Sequence, residues 1–187
     1  MKKSVIVVLV VVLVVVIGFV GVKIYFDKDI DKQKEHLEDT INKYGVVTEV
    51  TVEESVAKFN TFVMDKNIGN VASDEYFTVD NNLYWYGLID DVYMYVKPVD
   101  FSGNKDKDIT NIMTIQYSKN SKNSDVAINY VKALLKANND KLTESDIDYL
   151  MSEAKNSKKN SNNGMGISVS FVENDEIIEY QVIRLYK

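Results

Sequence analysis

An unbroken apolar run from Val5 to Val22, 18 residues with 11 valines and no polar side chain, limits what this chain can become more than any other feature. As a helix rising about 1.5 Å per residue it is roughly 27 Å long, close to the hydrocarbon thickness of a bilayer. Valine is a mediocre helix former in water. In lipid, however, every backbone group must bond internally, so the helix is enforced there. Lys23 can snorkel, and Ile24, Tyr25 and Phe26 carry the apolar stretch into the interface. The competing reading is a cleaved signal peptide, which has a shorter apolar core and an Ala-x-Ala-like site. No alanine precedes Ala57, and Val16-Ile17-Gly18 is a poor substitute. Residues 1–26 therefore read as a transmembrane signal anchor.

Orientation follows less directly. Lys2 and Lys3 precede the run, whereas Lys23, Lys28, Lys32 and Lys34 follow it, and a lysine count alone would hold the C-terminal part in the cytoplasm. A short basic tail before a long apolar run is nevertheless the usual signal-anchor layout. Asp27, Asp29, Asp31 and Glu35 also offset the downstream lysines. The expectation is a cell-membrane protein, single-pass, with its C-terminal domain outside the cytoplasm.

Residues 27–45 read as a charged stalk helix. Lys28 can meet Asp31, and Lys34 can meet Glu38, at i+3 and i+4 spacing. Ile30, Leu37, Ile41 and Tyr44 give an apolar seam of only about two heptads, too short for a coiled coil. Residues 46–187 then form one domain. Thr51-Val52-Glu53-Glu54 is a capping box ahead of Val56, Phe59 and Val63 at helical spacing. From Glu75 the period becomes two, and strands are expected over Tyr76–Val79, Leu83–Ile89, Val92–Val96 and Ile112–Tyr117. Asn81-Asn82 and Asp90-Asp91 make the tight turns. Ser124 is expected to cap a second helix, and Thr143 opens a third. Lys155 to Gly164 reads as a mobile Asn/Ser/Lys-rich segment, followed by a hairpin of Gly166–Val172 and Ile177–Tyr186. Runs of strands joined by tight turns, with helices between the runs, imply an α+β fold: an antiparallel sheet with about three helices packed on one face.

The opening helix Thr51-Val52-Glu53-Glu54-Ser55-Val56-Ala57-Lys58-Phe59-Asn60 and the segment Tyr130–Ala154 around Leu142-Thr143-Glu144 resemble small, membrane-anchored, extracytoplasmic α+β proteins of Gram-positive bacteria, often lipoproteins. This chain has no lipobox cysteine, and indeed no cysteine at all. The resemblance implies an envelope location and brings no functional residues with it.

Chemistry is sparse. Without cysteine there are no disulfides, thiolate sites or thiol nucleophiles. A net charge of -6 argues against nucleic acid as a partner. His36, the only histidine, falls in the stalk, and one histidine cannot build a His-cluster metal site. Ser-x-x-Lys occurs at Ser55/Lys58, Ser102/Lys105 and Ser152/Lys155, but the companion Lys-Thr-Gly is absent. Asp27, Asp29, Asp31 and Glu38 imitate a calcium loop with Lys32 where glycine belongs; Asn104, Asp106 and Asp108 imitate another with Ile109 there. Glu53/Glu54, Asp90/Asp91 and Asp175/Glu176 are adjacent carboxylates in helix starts or turns, where acids have local reasons to be. No enzyme, cofactor or metal is expected.

One feature stands above this background. Paired regularly across Asp90-Asp91, Tyr86 faces Tyr95, and Tyr84 lies near Lys97. With Trp85, Ile89, Val92, Met94 and Val96 turned inward, Tyr84, Tyr86, Tyr93, Tyr95 and Lys97 face outward. Tyrosines so placed either brace a sheet by cross-strand contact or offer a recognition surface for peptide or glycan. The sequence is thus expected to encode an anchored binding or interaction module of the cell envelope, with the membrane and a protein or peptide as partners. The alternative is an accessory or assembly subunit of a conjugation or secretion apparatus.

Overall fold

The computed structural model describes residues 43, 48–80, 82–156, 161–162 and 165–185. The apolar run, His36, the Asp27–Glu38 acidic series and the rest of the stalk apart from Lys43 lie outside the described residues. Among those described, no helix is long and apolar enough to cross a membrane.

Residues 43–187 form one compact unit built on an antiparallel sheet. Helix α1 (Val52–Asp65) leads into strands β1 (Phe77–Val79), β2 (Leu83–Ile89), β3 (Val92–Pro98) and β4 (Thr110–Ser118). Helices α2 (Ser124–Asn138) and α3 (Glu144–Asn156) follow, then β5 (Ser161–Asn162), β6 (Ile167–Glu173) and β7 (Ile177–Arg184). The sheet order is β1-β2-β3-β4-β7-β6-β5, so the last strand returns to the centre beside β4. The expected α+β architecture is present. The additional element is β5, which pairs with β6 within the segment read as mobile.

The capping box of α1 forms as its sequence demands. The Thr51 hydroxyl accepts from the Glu54 N–H at 3.2 Å, and the Glu54 carboxylate accepts from the Thr51 N–H at 2.9 Å. Thr143 and Asp146 repeat the arrangement at α3. At α2 the expected Ser124 cap is displaced by one residue: Asn123 is the N-cap and makes no side-chain capping bond, and its amide donates to the Asp90 carbonyl at 3.0 Å.

Val52, Val56, Phe59 and Val63 of α1, Leu134 and Leu135 of α2, and Ile147 and Leu150 of α3 join one core with the inward face of the sheet. Arg184, the only arginine, is buried there. Its Nε donates to the Asn138 Oδ1 at 2.8 Å, at the C-terminal end of α2, where a cation is favoured by the helix dipole.

Candidate functional site

The β2–β3 hairpin decides which side chains meet solvent. A two-residue turn at Asp90-Asp91, with Asp91 in the left-handed region at φ 63°, pairs Ile89 with Val92. The next pairs are Gly87 with Tyr93, Tyr86 with Met94, Trp85 with Tyr95 and Tyr84 with Val96. Leu88 is thus an extra residue in β2, a β-bulge, and everything before it slips by one position. Because side chains alternate with a period of two, one slip exchanges the faces of the strand.

The expected pairing of Tyr86 with Tyr95 and of Tyr84 near Lys97 is therefore corrected. Tyr84 and Tyr86 are buried at 0% and 1% exposure, with Met94, Val92 and Val96. Trp85, assigned to the core, lies on the opposite face with Tyr93 and Tyr95, and those three are half-buried. Lys97 is exposed, beyond Tyr95 on the same side of β3. An isolated glycine within a strand was the available sign of a bulge, at Gly87.

The inward tyrosines have structural roles. The Tyr84 hydroxyl donates to the buried Asp108 carboxylate at 2.6 Å. That carboxylate also accepts from the Ser102 hydroxyl, from the Ser102 N–H at 3.0 Å and from the Gly103 N–H at 3.2 Å. Burial alone would raise the Asp108 pKa, but the bonds from Ser102, Tyr84 and Gly103 outweigh it and hold the group below its ordinary 3.8. Asp108 thereby closes the 100–108 loop, and its carbonyl accepts from the Val52 N–H at 2.8 Å. This explains the partial calcium pattern, since the carboxylate of Asp108 is turned inward onto donors. Among the described residues no group of three or more His, Asp or Glu side chains is gathered to hold a metal ion.

The Ser-x-x-Lys pairs do not form nucleophile–base contacts either. Ser55 Oγ is buried without a hydrogen-bond partner among the described residues. The Ser102 hydroxyl donates its hydrogen bond to Asp108, while Lys105 binds Glu53 at 2.8 Å. Ser152 Oγ accepts from the Asn156 amide at 3.4 Å. On the helical side a cleft of about 630 Å³ has a floor that includes Phe62, Ile68 and Ile147. Two of its three lysines are already engaged, Lys132 with Asp148 at 2.8 Å and Lys136 with the Asp140 carbonyl at 3.0 Å.

The outward face is the remaining candidate. Strand pairing aligns Phe77, Trp85, Tyr95, Thr114, Gln181 and Ser170 in one row across six strands. A second row runs Gly87, Tyr93, Gln116, Glu179 and Val172. Ring centroids lie 5.4 Å apart for Phe77–Trp85, 5.0 Å for Trp85–Tyr93 and 6.5 Å for Trp85–Tyr95. Phe77, at 65% exposure, marks the solvent end. The polar half is linked by Gln181, which donates to Glu179 at 3.3 Å and meets Ser170 at 3.5 Å. Burial raises the Tyr95 pKa, the Glu179 carboxylate adds to the rise, and the Trp85 indole opposes it. Such a face presents aromatic rings beside amide and hydroxyl groups, a surface chemically suited to binding. No protein-family model, curated protein or solved structure matches the chain.

Proposed function

We propose that this chain is a single-pass membrane protein of a bacterial cell envelope whose outward sheet face is a recognition surface, with no catalysis. Residues 1–26 anchor it, residues 27–45 hold the domain off the bilayer, and residues 46–187 bind a partner outside the cytoplasm. The observation that carries this reading is the aromatic row Phe77–Trp85–Tyr95, with Tyr93 beside it, on the sheet face opposite the helix-packed core. A long apolar run without a good cleavage site supports the anchor.

Capture from native membranes by the full-length chain tests it. Trp85→Ser combined with Tyr93→Ser is expected to lose the partner while the domain still melts cooperatively. Unchanged capture by that variant would contradict the surface and favour an assembly subunit working through its anchor. Protease added to intact protoplasts is expected to remove the domain; full protection would reverse the orientation.

A further inference from the structure

We propose that the outward face binds an uncharged, β-1,4-linked polysaccharide lying across the strands; this rests on the recognition surface proposed above. Three features favour that occupant. The first is spacing. Adjacent strands lie about 4.8 Å apart, close to the rise per sugar of an extended β-1,4-linked chain. The Phe77–Trp85 and Trp85–Tyr95 centroids, 5.4 and 6.5 Å apart, step along the same row. Pyranose rings whose substituents are all equatorial present apolar C–H faces to aromatic rings at that repeat.

The second feature is polarity. Beyond the aromatic residues the rows continue past the buried Thr114 as Gln116, Gln181 and Ser170, neutral groups that both donate and accept, as sugar hydroxyls do. The Gln116 amide forms no hydrogen bond among the described residues and is available. Glu179 is the only carboxylate in the two rows and Lys97 is the exposed cation beside them, so the face is close to neutral on a chain of net charge -6, which suits an uncharged polymer better than an anionic one. A peptide in extended form gains most from a free strand edge. Here β2, β3, β4 and β7 are all interior strands whose main-chain groups are paired.

The third feature is a notch. A Cβ built on Gly87 meets nothing within 4 Å, and its φ is not positive, so neither packing nor backbone geometry requires glycine there. Glycine weakens a strand, because it has more backbone freedom to lose and no side chain to pack. What its missing side chain provides is open floor beside Trp85 and Tyr93, on which a sugar ring can settle.

Trp85 is the only tryptophan, so its emission reports on this face directly. The full chain in phosphatidylcholine nanodiscs is titrated with cellohexaose, chitohexaose, hexagalacturonate and a pool of uncharged decapeptides. A saturable change in Trp85 emission is expected with cellohexaose or chitohexaose and not with hexagalacturonate. Gly87→Val, which suits a strand, is expected to melt no lower than the native chain yet weaken that saccharide at least about tenfold. Gln116→Ala, which removes an outward amide without a partner, is expected to weaken it as well and serves if Gly87→Val does not fold. Three results overturn the proposal: no response to either neutral hexasaccharide, tighter binding of hexagalacturonate, or saccharide binding indifferent to the folded variants. A response to the decapeptides alone, lost in Gly87→Val, would overturn the saccharide while leaving the recognition surface standing. Silence from every probe overturns the saccharide too, and the surface is then decided by the cross-linking described at the end of the Discussion.

Discussion

Tyr84 and Tyr86 sit two residues apart on the same buried face, yet their hydroxyls meet opposite circumstances. Tyr84 donates to Asp108, whereas the Tyr86 hydroxyl has no partner among the described residues. Removing the first leaves a buried carboxylate short of a donor; removing the second relieves an unpaired polar atom. Tyr84→Phe is therefore expected to cost about 1–3 kcal/mol, and Tyr86→Phe to be neutral or stabilising by about 1 kcal/mol, read by denaturant unfolding. Equal losses would mean that Tyr86 has a partner. Asp108 also ties stability to pH. Its folded pKa lies below the ordinary 3.8, so the stability it contributes is present above that value and is lost as pH falls through the folded pKa. Melting between about pH 5 and 2 is expected to fall more steeply for the native chain than for Asp108→Asn, whose baseline is lower. Parallel curves would remove Asp108 from the account.

Among the elements, those that rest on local chemistry were legible in the residues. Thr51 and Glu54 cap α1 as a capping box must, and Thr143 with Asp146 opens α3, because these bonds close within one helical turn. Strands β2, β3, β4, β6 and β7 follow the period-two stretches closely. The two faces of β2 were not legible. Alternation showed that Tyr84 and Tyr86 share one side and Trp85 the other, but the single extra residue at Leu88 decided which side meets Tyr95. Both sides are rich in apolar atoms, so hydrophobicity alone cannot choose between them. Strand β5 was missed for a related reason: two residues within an Asn/Ser/Lys stretch are strand only because β6 offers them an edge. The face assignment has a direct test in stability. Tyr84→Ser is expected to cost about 3–5 kcal/mol as a buried aromatic deletion, and Trp85→Ser about 1 kcal/mol as a lost cross-strand contact. The reverse order, measured by thermal melting, would restore the register without the bulge.

At the scale of the whole molecule, two short meanders each follow a helical segment and meet at the β4–β7 pair, the seam of one continuous sheet. One face of that sheet is spent on the core with α1, α2 and α3, and the other is left to carry Trp85, Tyr93 and Tyr95. The fragment of residues 46–187 is expected to fold alone and to melt at the same temperature with and without chelator; a sharp drop on chelation would expose a cation site. The central claim is that the outward face meets a partner at the envelope. The most direct measurement is photo-cross-linking in native membranes, with a photoreactive residue placed in the full chain at Lys97, exposed on the outward side of β3, and, in a second chain, at Tyr149, which is exposed on α3. The account predicts a discrete cross-linked product from position 97 and none from position 149. Equal products from both, or none from position 97, would contradict it.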